Sequence, residues 1–111
     1  MLSKKIEDIL NAQIEKEGYS SHLYLAMASW ADNHGYEGIS NWFYAQAEEE
    51  RLHMLKFVHY INERGGHSIV PLINQPPVDF PDVKTIFDES LKHEQYITAS
   101  INAIVGLSIE E

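Results

Sequence analysis

Asn41-Trp42-Phe43-Tyr44-Ala45-Gln46-Ala47-Glu48-Glu49-Glu50-Arg51-Leu52-His53-Met54-Leu55-Lys56-Phe57 is the stretch on which the reading of this chain turns. Phe43, Glu50 and Phe57 are spaced by seven residues. Seven residues are two helical turns to within about 20°, so the Glu50 carboxylate falls inside an apolar stripe. The same misplacement recurs on either side, with Glu17 midway between Leu10 and Tyr24 and Glu94 midway between Phe87 and Ile101. A carboxylate taken out of water needs a counter-charge, a full set of hydrogen bonds or a metal. One such defect in each of three helical segments asks for a shared partner, and the simplest is a cation.

Working outward from that stretch, the periodicity predicts three helices. Ser3 is a suitable N-cap, and Ile6, Ile9, Leu10, Ile14, Leu23, Met27 and Ala28 keep helical spacing up to Gly35, which predicts a first helix over about 4–34. A short link through Gly35-Tyr36-Glu37-Gly38 leads into the second, about 38–64, ended by Gly65-Gly66. So short a link makes the two antiparallel neighbours. All four prolines, Pro71, Pro76, Pro77 and Pro81, fall between His67 and Asp82, which predicts a long extended connection. At about 3.3 Å per residue it can reach roughly 50 Å, enough to return along a second helix of about 40 Å. The third helix, capped by Asp82 with Ile86, Phe87, Leu91, Ile97, Ile101, Ile104 and Val105 as its stripe, then runs parallel to the second. The expected class is all-α, one domain over residues 1–111. In that topology Glu50 and Glu94 lie at nearly the same height, and Glu17 falls within about a turn of His53.

Composition narrows the partners. With 17 acidic against 8 basic residues the net charge is −9, which argues against nucleic acid and anionic membrane surfaces and favours cations. There is no cysteine, so a transition metal would be held by imidazole and carboxylate, suiting iron, manganese or zinc. The N-terminus carries no long apolar core, and no apolar run approaches about 18 residues. Secretion and membrane spanning are not expected, and a cytoplasmic location is.

Glu50 and His53 form Glu-x-x-His, i and i+3 on one helix face, so both side chains can ligate one ion. The bare pattern is common by chance; its weight comes from Glu17 and Glu94, inward on the other two helices. A bridging Glu50 can hold two cations, and the His53 nitrogen favours a transition metal over calcium. Tyr24, seven residues beyond Glu17, can donate a hydrogen bond to a metal-bound carboxylate, or it is an ordinary core tyrosine. Glu48 and Glu49 extend an acidic run that usually marks a solvated face, and Glu49 can flank the site. His22, His34, His59, His67 and His93 share no ligand spacing with an inward carboxylate and are expected on the surface. Trp30, Trp42 and Phe43 are expected to pack.

Glu17-Gly18-Tyr19-Ser20-Ser21-His22-Leu23-Tyr24-Leu25-Ala26-Met27-Ala28, Asn41-Trp42-Phe43 with Gln46 to His53, Tyr60-Ile61-Asn62-Glu63-Arg64-Gly65-Gly66, and His93-Glu94 together resemble the non-haem bacterial ferritins, over the whole chain. The resemblance implies a ferritin-like helical bundle and a ferroxidase centre. Glu17, Glu50 and His53 would surround one iron, Glu50 would bridge to a second held by Glu94, and Glu49 would lie near a third. Haem-binding relatives carry a methionine directly after the bridging glutamate, where this chain has Arg51, so no haem is expected. The family subunit resembles a four-helix bundle with a fifth short helix, whereas this sequence stops at Glu111 within the third helix. The expected fold therefore has the first three helices and the long crossover, lacks the fourth helix with its further ligands, and exposes an apolar groove.

What the resemblance implies for function is iron storage: Fe(II) oxidised by oxygen at a dinuclear carboxylate and histidine site, with ferric mineral deposited. The partners are ferrous iron, oxygen and further copies of the chain, in the family roughly 24 subunits in a closed cage. One alternative is a truncated or split fragment acting as an assembly module with an incomplete site and little or no turnover. Another is a different ferritin-like diiron enzyme, such as a peroxidase relative.

Overall fold

The protein, seen here as a computed structural model, is described for residues 2–110, with side chains through Leu107. Three helices account for most of it: α1 (Lys4–Asn33), α2 (Glu37–Glu63) and α3 (Val83–Glu110). Each boundary has a local cause. Ser3 is extended, and its Oγ accepts the amide of Ile6 at 3.2 Å, supplying a partner to a free first-turn donor of α1. Asp82 does the same for α3, its Oδ1 accepting from the Thr85 amide at 2.7 Å. Gly35 and Gly65 end α1 and α2 in the left-handed region, at φ 83° and 86°, which glycine enters without a Cβ clash.

Both α2 and α3 pack on α1, while α2 and α3 make no close backbone approach to each other among the described residues. Two apolar clusters hold the stack. One joins Leu23, Met27 and Ala28 of α1 to Phe43, Ala47 and Ile86. The other joins Ile6, Leu10 and Ile14 to Ile61, with Ile104 and Leu107 against it. Early α1 thus meets late α2 and late α3, so α1 is antiparallel to both and α2 runs parallel to α3.

The segment between α2 and α3 makes that parallel arrangement possible, as the prolines predict. It climbs along α1: Glu7 accepts the His67 amide at 2.6 Å, and the Asn11 side chain donates to His67 O at 3.1 Å and accepts from the Ile69 amide at 2.8 Å. Near the far end Trp30 Nε1 donates to Asp79 at 2.8 Å. From Asn11 to Trp30 the helix rises about 28 Å, so α3 begins level with the start of α2, where the Phe43 and Phe87 rings lie 5.4 Å apart. Gly18 lets this happen at close quarters, because a Cβ there would stand 2.7 Å from Ile73 Cδ1 and 3.1 Å from Met54 Sδ.

The α3 stripe is only half covered. Ile86 and Ile97 are buried, but Phe87, Val105 and above all Leu91, 60% exposed, face outward. Trp42 is half exposed beside Phe87. Packed along α1 and reaching α2 through Phe87 beside Phe43 and Trp42, α3 buries one side of its apolar surface, leaving a groove opposite α1. No described helix is long and apolar enough to cross a membrane.

Candidate metal centre

Between the two apolar clusters the three helices turn carboxylates inward. Glu17 is 0% exposed and Glu50 is 5% exposed. Glu17, Glu50 and His53 each bring one ligand atom within 4.8 Å of the others. His53 Nδ1 lies 3.2 Å from Glu50 Oε2 and 4.0 Å from Glu17 Oε2. The i and i+3 spacing of Glu50 and His53 on α2 produces the first contact, and the antiparallel pairing of α1 with α2 the second. Two carboxylates and an imidazole suit a borderline divalent ion such as Fe(II).

The inward carboxylates Glu17 and Glu94 raise the affinity of Glu50 for a proton. Burial, then the hydrogen-bond reach and charge of Glu17, then Glu94, push the Glu50 carboxyl up to about 9. A proton on Glu50 therefore stands where positive charge is needed, and a bound cation would displace it. Glu17 Oε2 is a buried oxygen with no hydrogen-bond partner. Such a group is costly unless something else occupies that side, and it points to where a metal ion fits.

Glu94 enters from α3. The Tyr24 hydroxyl donates to its Oε1 at 2.5 Å, and burial followed by this bond pushes the phenol well above its usual range. The charge of Glu94 is also among the causes that raise the Glu50 carboxyl. The structure therefore brings Glu17, Glu50 and His53 into one ligand group, with Glu94 joined to Tyr24 beside it but outside that group. It does not bring in Glu49, which is exposed and joins no ligand group among the described residues.

One expectation needs correction. His93 is half-buried, not a surface residue: its Nε2 is 2.6 Å from Ser20 Oγ, and its ring packs against Tyr19 and Tyr24. Its 100° offset from Glu94 turns it toward α1 instead of solvent, and burial lowers its pKa. His22, His34, His59 and His67 are exposed, with His34 stacked on Trp30 at 4.1 Å between centroids. Ser20 and Gln13 went unnoticed in the sequence, although both sit on the inward face of α1. Gln13 is buried, and its Nε2 donates to Glu17 Oε1 at 3.2 Å. The available signal was its place one turn before Glu17, among Leu10 and Ile14.

The ferritin-like domain model matches residues 7–111. The chain is similar over all 111 residues to a probable bacterial non-heme ferritin-like protein of Haemophilus influenzae, 38% identical and covering 67% of it. To a bacterial non-heme ferritin of Staphylococcus aureus it is 42% identical over 98 residues, which are 88% of this chain and 59% of that protein. Among solved structures, Chlorobium tepidum ferritin superimposes with a TM-score of 0.95 at 36% identity, covering 99% of this chain and 68% of that one. An open pore ferritin from the archaeon Archaeoglobus fulgidus gives 0.95 at 34% identity, with the same coverage of 99% and 68%. The chain thus spans 59% to 68% of the length of these relatives. Matched from Glu7 onward and following the same helical path, this chain belongs to the ferritin family.

Proposed function

We propose that this chain serves iron storage, oxidising Fe(II) to Fe(III) with oxygen at the centre built from Glu17, Glu50, His53 and Glu94 and passing the product to a ferric mineral. The observation that carries the reading is the unpartnered Glu17 Oε2, buried where Glu50 and His53 converge. Family membership supports iron as the metal.

In this reading Fe(II) is the substrate. Glu17, Glu50 and His53 bind one ion, and Glu50 with Glu94 binds a second. Two ferrous ions each lose one electron, and oxygen takes both. The carboxylates favour that step because they stabilise the higher charge of Fe(III) more than that of Fe(II). Glu50 gives up its proton as the ions enter, and Tyr24 orients Glu94 through its hydroxyl. Family membership supports an assembly of several chains.

Adding ferrous iron in air tests the proposal: ferric absorbance should rise faster than in buffer, and Glu50→Ala and His53→Ala should each lose the acceleration. A wild-type rate equal to buffer alone would overturn it. A second reading, an assembly module with little turnover, is favoured by one observation. Among the described residues one ligand group forms, Glu17 with Glu50 and His53, and Glu94 does not join it. Iron stoichiometry and oxidation rate, measured beside a version extended by a fourth helix, separate the two.

A further inference from the structure

We infer that Gln13 is a positioning residue of this centre: its carboxamide ties down one oxygen of Glu17 so that the other alone is presented to a metal ion. The inference rests on the metal-binding reading above and adds a residue to it. Gln13 and Glu17 are one turn apart on α1 and share its inward face, at 1% and 0% exposure. Gln13 Nε2 donates to Glu17 Oε1 over 3.2 Å. A carboxylate only accepts, so the amide must turn its NH2 group toward it. The remaining oxygen, Oε2, has no hydrogen-bond partner and is the one facing His53 Nδ1 at 4.0 Å.

The two oxygens of Glu17 therefore differ in role, one held by the protein and one left to a ligand. The terminal torsion of a glutamate is broad, and Gln13 is the one hydrogen-bond donor that holds the Glu17 carboxylate among the described residues. Without Gln13 the carboxylate could present both oxygens, or turn Oε2 away from His53. Gln13 meets Glu17 at Oε1, whereas the oxygen that lies 4.0 Å from His53 Nδ1 is Oε2, so it acts through Glu17 and not on the ion.

The test uses the whole chain, stripped with chelator and titrated with Zn(II) by calorimetry and with Co(II) by visible absorption. The variants are Gln13→Met, Gln13→Leu, Glu17→Gln and the Gln13→Met/Glu17→Gln double. Losing an outer hydrogen-bond partner costs about 10-fold to 100-fold in metal affinity. The expected result is that loss in both Gln13 variants, with a changed Co(II) spectrum as Glu17 alters its mode of binding. In the Glu17→Gln background, where no carboxylate remains to orient, Gln13→Met should have no further effect. A packing role would instead weaken binding by the same factor in both backgrounds, and that result would overturn the inference even if the variants also melt lower. Unchanged affinity and spectrum in Gln13→Met and Gln13→Leu would overturn it alone. A wild-type chain that binds neither metal would take the metal-binding reading down with it.

Discussion

Replacing Glu50 by glutamine should stabilise the metal-free protein while removing its metal affinity. The Glu50 carboxyl sits at about 9 in the folded chain against an ordinary 4.5, because burial and the neighbouring Glu17 and Glu94 disfavour its charge. A raised acid pKa means that folding takes up a proton between those values. The contribution is fully present below pH 4.5 and is lost as pH rises toward 9. At pH 7 about 2.5 pH units separate the medium from the unfolded value, and at about 1.4 kcal/mol each the cost is about 3 kcal/mol. Glutamine carries a permanent N–H donor toward Glu17 and Glu94 and avoids that cost. For a chain of this size about 3 kcal/mol corresponds to a rise of roughly 10 °C in Tm. The assay is thermal unfolding by circular dichroism, after chelator treatment, from pH 4.5 to 8. The advantage of Glu50→Gln should vanish at pH 4.5 and grow with pH, while added Zn(II) should raise the wild-type Tm and leave the variant unmoved. A metal-free variant that melts at or below wild type at pH 7, or a difference independent of pH, would refute the reasoning.

Other consequences are local. Gly18→Val should cost about 1–3 kcal/mol by overpacking, since even a Cβ would stand 2.7 Å from Ile73 Cδ1; denaturant unfolding should show part of the loss restored by Ile73→Ala. Trp30→Phe removes the donor to Asp79 and should cost about 1–2 kcal/mol, with limited proteolysis near residues 79–82 faster than in wild type. Ser3→Ala removes the cap on the Ile6 amide and should cost about 1 kcal/mol, read as a lower denaturant midpoint with an unchanged slope.

The helices were legible because their signals are local. The Ser3 and Asp82 caps, the glycines 35 and 65 and the cluster of prolines each act within a few residues, and the structure places the ends of α1 and α2 within one residue of those expected. The inward glutamates were legible because a seven-residue spacing forces them onto an apolar stripe wherever the stripe faces. His93 was misread for the complementary reason. Its angle relative to Glu94 was correct, but whether that direction meets water or α1 depends on a neighbour seventy-three residues away, Ser20. Gln13 was missed because one buried amide in a stripe has no meaning until its partner is located.

Periodicity along the chain decided that there are three amphipathic helices, that the second and third run parallel across a proline-rich crossover, and that each carries one carboxylate on its apolar side. Tertiary packing decided which side chains meet. It set Glu17 Oε2 4.0 Å from His53 Nδ1, joined Tyr24 to Glu94, left Glu49 outside and turned half of the α3 stripe to solvent. The reason is that spacing fixes a side chain's direction about its own helix axis, whereas distance and burial depend on the relative height and rotation of separate helices, set by contacts such as those of Gly18 with Ile73 and Trp30 with Asp79.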